Sequence, residues 1–68
     1  MARLHTNIKK FRVIEGIKQE DLARLVGVRR ETIVHLEAGR YNPSLKLAYD
    51  ISKVFGVAIE EVFTFKEE

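Results

Sequence analysis

Residues 18–39, KQEDLARLVGVRRETIVHLEAG, contain two short segments with helical apolar spacing that meet at Gly27. Glycine readily adopts the left-handed backbone that ends a helix and opens a tight turn. Ala23 lies where two steeply crossing helices require a small side chain. Four apolar residues would fill the corner between these helices: Leu22, Val28, Ile33 and Leu36. The stretch therefore predicts two helices, about 18–26 and 29–38, joined by a short turn.

The same pattern recurs along the whole chain, because each of the four glycines ends a segment with helical apolar spacing. Three further helices are predicted at about 6–15, at about 45–55 after the N-cap residue Ser44, and at about 59–63. The expected core residues of the first four helices are Ile8, Phe11 and Ile14; Leu22, Leu25 and Val26; Ile33 and Leu36; and Leu45, Ala48, Ile51, Ser52 and Phe55.

The two chain ends have a different character. Residues 62–65, VFTF, are β-branched and aromatic, which favours a strand. Residues 2–4 are the only obvious pairing partner within the chain, and the alternative is a frayed tail. The predicted fold class is all-α, a compact five-helix domain, with the chain ends as candidates for a short antiparallel β-ribbon.

Length and composition limit the class of protein. The 68 residues allow one small domain, residues 1–68, and 46% hydrophobic with 32% charged residues is typical of a globular chain. The lack of cysteine excludes a disulfide scaffold and a thiolate zinc site. No apolar run suits a membrane span and no signal-peptide pattern opens the chain, so we expect a soluble, cytoplasmic protein. A chain this short usually needs a stabilising partner, which favours a homodimer.

An enzymatic role finds no support in the sequence. The two histidines, His5 and His35, are far apart in the chain and form no recognisable metal-ligand set. No nucleophile–base pair, phosphate-binding glycine loop or carboxylate pair stands out. We therefore expect no catalytic residue, no metal, no cofactor and no small-molecule ligand.

Charge is distributed unevenly along the chain. Residues 1–46 carry ten Lys/Arg against five Asp/Glu, whereas residues 47–68 carry two against five. A basic N-terminal part is typical of a protein that binds a polyanion through one end. Ordinary surface charge is the alternative.

The spacing of Ala23, Gly27, Ile33 and Leu36 is typical of a helix-turn-helix motif. Together with further blocks, it resembles the Xre family of regulators, which includes the Cro and C1 phage repressors. The matching blocks span about residues 7–65 and include 18–23 (KQEDLA), 27–28 (GV), 30–33 (RETI), 36–39 (LEAG), 42–45 (NPSL) and 59–63 (IEEVF). The resemblance implies a lambda-repressor-like domain with its helix-turn-helix at about 18–38. It also implies a DNA-binding repressor, most like the small stand-alone dimers of the family whose chain ends form a β-ribbon.

In such a motif the second helix, here about 29–38, enters the major groove and its first residues reach base edges. Arg30 could donate two hydrogen bonds to guanine, and Glu31 could accept one from cytosine. An equal alternative for Glu31 is to orient Arg30 or to pair with His35, one turn further on. His35 could donate to a base or a phosphate, or be a solvated surface histidine.

Other positions are expected to contact the DNA backbone. Gln19 matches the family position that touches a phosphate, where free amide groups open a helix. Arg29 and Lys18 replace residues that cap helices in the family and are expected to bind phosphate. The resemblance assigns further backbone contacts to Thr32, which also packs, and to Arg40, Tyr41, Asn42 and Lys46.

Two sets of residues have structural roles in this interpretation. Arg12 and Glu37 match family positions that form a buried ion pair between the first and third helices. A homodimer would double the readout of one short recognition helix. Its interface is expected within a C-terminal segment at about 57–66, at Val57, Ile59, Val62, Phe63 and Phe65. For Val57, Val62 and Phe63, packing on the core of the single chain is an equal alternative.

The sequence leaves two other functions open. An antitoxin-like protein-interaction module would have a similar helix-turn-helix, although the basic pair Arg29-Arg30 and the lack of a disordered arm argue against it. A controller protein of a restriction–modification operon would also bind DNA. The expected partners remain a palindromic double-stranded DNA operator and a second copy of the chain, with no membrane.

Overall fold

The computed structural model describes residues 2–67 and contains five helices and a two-stranded antiparallel sheet. The elements in chain order are β1 (Ala2–Thr6), α1 (Ile8–Glu15), α2 (Gln19–Val26), α3 (Arg30–Glu37), α4 (Leu45–Phe55), α5 (Ile59–Val62) and β2 (Phe63–Glu67). This arrangement confirms the predicted five-helix fold and its β-ribbon. Among residues 2–67, none of the helices combines the length and hydrophobicity that crossing a bilayer requires.

Local sequence signals account for the helix ends. Gly27 closes α2 with a φ of 74°, in the left-handed region that favours glycine. Its neighbour Val28 then donates its backbone N–H to Ala23 O at 3.0 Å. The Ser44 hydroxyl accepts a hydrogen bond from the Leu47 N–H at 3.1 Å, as expected of an N-cap. The turn between α2 and α3 and the start of α4 are therefore set by nearby residues.

The core lies between the helices and under one face of the β-ribbon. Its largest fully buried side chains are Ile8, Leu22, Ile33, Leu36, Ile51 and Val62. Three predicted core residues are exposed instead: Ile14, Leu25 and Leu45, at 65%, 63% and 78%. At about 100° per residue, Ile14 and Leu25 lie roughly a quarter-turn away from the buried faces of α1 and α2. Leu45 lies in the first turn of α4, at the edge of the core.

The β-ribbon holds the chain ends together and supports the end of α3. Leu4 pairs with Phe65, and Thr6 pairs with Phe63. The carbonyl oxygen of Leu4 lies so close to Gly39 that a Cβ built there would be 2.7 Å from it. Gly39 also has a φ of 69°. A glycine is therefore required where β1 passes the loop after α3.

Candidate nucleic-acid interface

Four residues from two successive turns form the exposed face of α3: Arg30, Glu31, Val34 and His35. Ile33 and Leu36 occupy the opposite face and are completely buried. Because the two buried side chains hold the helix against the core, its opposite face is directed toward solvent. The three predicted base-contacting residues therefore lie together on one surface.

Most polar groups of this surface are unengaged. Within residues 2–67, the side chains of Glu31 and His35, and of Arg29 just before the helix, make no hydrogen bond or ion pair. The proposed pairing of Glu31 with His35 is thus not formed. Arg30 Nη2 lies 3.5 Å from Gln19 Oε1, at the limit of a hydrogen bond. These side chains have donors and acceptors available for a ligand.

An ion pair behind this surface ties α1 to α3. Arg12 Nε donates to Glu37 Oε2 at 2.6 Å, and Arg12 Nη2 donates to Glu37 Oε1 at 3.1 Å. Their side chains are only 12% and 10% exposed. The Gln19 amide donates to the same Glu37 Oε1 at 3.3 Å. The bidentate Arg12–Glu37 pair and the hydrogen bond from Gln19 together fix the orientation of α3 relative to α1 and α2.

A polar groove of about 500 Å³ lies beside the start of α3, between α1 and the start of α2. Its charged and amide-bearing residues are Lys9, Arg12, Lys18, Gln19, Glu20, Arg30 and Glu37. Since Arg12 and Glu37 neutralise each other, the remaining charge is mainly basic. Lys9 was not among the sequence candidates, although its i,i+3 spacing to Arg12 places both on one side of α1.

The other predicted backbone contacts are more scattered. Arg40, Tyr41 and Asn42 are exposed in the loop after α3, and Thr32 is half-buried. Lys46 Nζ is 2.6 Å from Asp50 Oδ2, so its charge is already paired. Asn42, in the same loop, lines a second groove rather than the basic one.

This second groove is apolar and has a volume of about 280 Å³. It is lined by Leu4, Asn42, Pro43, Leu45, Ala48, Ile59, Phe63 and Phe65. Phe65 is 59% exposed and Leu45 is 78% exposed, so both offer apolar surface to solvent. The groove lies between the β-ribbon and the start of α4.

The predicted interface residues divide between surface and core. Val62 and Phe63 are 1% and 8% exposed, so their side chains pack in the core of the single chain, the alternative role for these two. The fold of α5 and β2 turns both side chains inward, although Phe63 also lines the apolar groove. Val57 and Ile59 are half-buried against the core. Phe65 is the most accessible of the five.

Within residues 2–67, no group of three or more His, Cys, Asp or Glu side chains is arranged to hold a metal ion. Every buried side-chain nitrogen and oxygen of these residues has a hydrogen-bond partner. Unengaged polar groups lie instead at the surface, and those of α3 include Glu31 and His35.

Relatives of this chain are transcriptional regulators. The helix-turn-helix family model HTH_3 matches residues 8–62. An HTH-type transcriptional regulator of Archaeoglobus fulgidus, itself named as uncharacterized, is 60% identical over 65 residues, which cover 96% of this chain and 92% of the relative. The cryptic phage CTXphi transcriptional repressor RstR of Vibrio cholerae is 31% identical over 62 residues, which cover 91% of this chain and 56% of RstR.

A solved structure agrees with these relatives. The restriction-modification controller protein C.AhdI from Aeromonas hydrophila matches with a TM-score of 0.74 and 27% sequence identity, over 81% of this chain and 83% of C.AhdI. The resemblance predicted from the sequence blocks is thus confirmed, and the expectation that the protein is no enzyme agrees with its relatives. The chain belongs to the helix-turn-helix family, in its Xre (Cro/C1-type) branch, and is a transcriptional regulator.

Proposed function

We propose that this regulator represses transcription by binding an inverted-repeat DNA operator as a homodimer. The observation that carries the proposal is the exposed face of α3, on which Arg30, Glu31 and His35 stand side by side. An α-helix fits the major groove, and the second helix of a helix-turn-helix presents its N-terminal residues to base edges. Such a protein would work in the cytoplasm, beside its DNA.

Each polar residue of this face suits a particular contact. Arg30 donates two hydrogen bonds to O6 and N7 of a guanine, the commonest specific contact in the major groove. Glu31 accepts a hydrogen bond from cytosine N4, and His35 donates to a base or a phosphate one turn further along. The unpaired state of Glu31 and His35 supports these roles, since neither must first break a contact within residues 2–67.

The basic groove would hold the DNA backbone beside the major groove. Lys9 and Lys18 line it, and Arg29 lies exposed just before α3. The side-chain amide of Gln19 is engaged by Glu37, so Gln19 would contact phosphate through its backbone N–H at the start of α2. Arg40 and Tyr41 would contact phosphate on the far side of α3. These contacts position the protein, whereas α3 supplies specificity.

The homodimer is supported by the apolar groove. Phe65, Leu45 and Ile59 surround it, and two copies related by a twofold axis could bury these side chains against each other. A dimer would also place two α3 helices on one face of the duplex, doubling the readout. Asn42, at the rim of this groove, would then lie near the dimer axis.

Repression is proposed from the likeness to the RstR repressor. A second candidate function follows from the likeness to C.AhdI, a restriction-modification controller protein. The two roles share the DNA-binding surface and differ in the genes they regulate. Restriction endonuclease and methyltransferase genes beside the coding sequence would favour the controller role.

Selection of duplexes from a random library by the purified protein at physiological salt tests this function. We expect enrichment of an inverted repeat whose half-sites are about 10–10.5 base pairs apart, or a multiple of that. Binding that depends steeply on salt and enriches no sequence would contradict it and favour non-specific association or a protein-interaction module. A reporter gene placed downstream of the enriched sequence then distinguishes repression from activation.

A further inference from the structure

The apolar residue on the exposed face of α3 is not explained by the fold. Val34 is 38% exposed, whereas its neighbour Ile33 is completely buried. At about 100° per residue, Val34 lies between Arg30 and Glu31 around the helix axis, one turn further along. It therefore stands near the middle of a face whose other members are charged or polar.

Exposed valines are common and need no special explanation when they stand alone. Val13, on α1, is such a residue and is 68% exposed. Val34 differs because it stands on the exposed face of the second helix of the helix-turn-helix, beside Glu31 and His35, which have no partner within residues 2–67. A β-branched residue also gives no advantage in helix propensity. Its position among unengaged polar groups indicates a role in contact with a ligand.

Thymine is the base that carries an apolar group, its C5-methyl, in the major groove. We propose that Val34 determines specificity for a thymine in each half-site by packing its isopropyl group on this methyl. This inference rests on the proposed DNA-binding function. Val34 lies four residues beyond Arg30, an advance of about 6 Å along the helix, and one base-pair step is about 3.4 Å. The thymine is therefore expected within about two base pairs of the pair that Arg30 contacts.

Replacing thymine by uracil removes only the methyl group and leaves base pairing intact. Each thymine of the selected duplex is replaced in turn within one half-site, and binding is measured at equilibrium. We expect one uracil to weaken binding of the wild-type protein about fourfold, the factor associated with burial of one methyl group. The other thymines should tolerate the change.

Variants then assign the effect to its side chain. Val34→Ser removes both methyl groups at similar helix propensity and should abolish the difference between thymine and uracil at that position. Val13→Ser makes the same change on α1 and should leave the fourfold difference intact. Val34→Ala, which favours the helix, keeps one carbon at the site and is expected to show a smaller difference.

Two results would overturn the inference. The first is equal affinity for every uracil-substituted duplex, and the second is a methyl effect that Val34→Ser leaves unchanged. Either would leave the proposed function intact, because the selected duplex would still bind specifically. Failure of the library to yield any enriched duplex would instead overturn the proposed function, and this inference with it.

Discussion

We expect Arg12 and Glu37 to contribute to function by positioning α3 and not by contacting DNA. Their bidentate contact joins α1 to the end of α3, and both side chains are nearly buried. Removing one partner of such a pair leaves an uncompensated charge in a poorly solvated place. The orientation of α3 and the stability of the fold therefore depend on the same two residues.

Glu37→Ala is expected to lower the free energy of unfolding by about 3 kcal/mol, because Arg12 would remain buried without its partner. The matched control is Asp50→Ala, which breaks the exposed pair with Lys46. Exposed pairs contribute about 0–1 kcal/mol, so this change should be small. Urea denaturation of both variants measures the difference. Equal losses would show that burial of the Arg12–Glu37 pair has no special importance.

Arg30 and Lys9 are expected to differ in how they affect DNA binding. Arg30→Ala should cost about 1–3 kcal/mol of binding free energy and relax specificity at one base pair in each half-site. Lys9→Ala should weaken binding to all sequences similarly and reduce the slope of the salt dependence by about 1 for each chain bound. Affinities over a range of salt concentrations and single-base-pair substitutions distinguish the two. A uniform loss for Arg30→Ala would remove it from the base-contacting residues.

Among the secondary-structure elements, contact between β1 and the loop after α3 connects the chain ends to α3. Leu4 O approaches Gly39 closely, and its own strand is fixed by pairing with β2. Because the atom in contact belongs to the backbone, no side-chain rotation can make room. The end of α3 is therefore supported from outside the helix-turn-helix.

Gly39→Ala is expected to destabilise the protein more than Gly16→Ala. Both glycines have φ near 70°, so both alanines would pay the cost of a left-handed backbone, about 1 kcal/mol. At Gly16 a Cβ meets no atom within 4 Å, whereas at Gly39 it would be 2.7 Å from Leu4 O. We expect an additional loss of about 1–3 kcal/mol at Gly39 from this overlap. Equal denaturation midpoints would contradict the close contact.

Elements were predictable from the sequence where the signals are local. Gly27 and Ser44 mark a helix end and a helix start by their own chemistry, and both helix boundaries were found. Exposure depends on packing from other elements, so apolar spacing alone placed Ile14 and Leu25 wrongly in the core. Val34 was missed for the related reason that sequence does not distinguish an exposed valine from a buried one.

The molecule has a basic surface around the start of α3 and an apolar groove, and the proposed dimer would use both. Lys9, Lys18, Arg29 and Arg30 surround the start of α3, whereas Leu45, Ile59 and Phe65 surround the groove. Two copies joined at the groove would present two α3 helices to one duplex. The sequence predicts interface residues that line this groove, Ile59, Phe63 and Phe65, whereas it places the exposed Leu45 in the core.

Phe65→Ser is expected to weaken dimerisation and operator binding together, because it removes the largest exposed apolar side chain of the groove. Light scattering at low micromolar concentration should show a fall in mass toward that of one chain. Tyr49→Ser is the matched control, since Tyr49 is a half-exposed aromatic residue outside the groove. An unchanged mass for Phe65→Ser would count against the proposed interface.

The proposed function requires that two α3 helices read one operator from a single face of the duplex. The most direct measurement compares affinity for the selected duplex with affinity for a copy whose half-sites are separated by about five additional base pairs, half a turn of the duplex. We predict that the insertion reduces binding to the level of a random duplex, because the second α3 would face the wrong side. Unchanged affinity would contradict the claim and show that each chain reads its half-site alone.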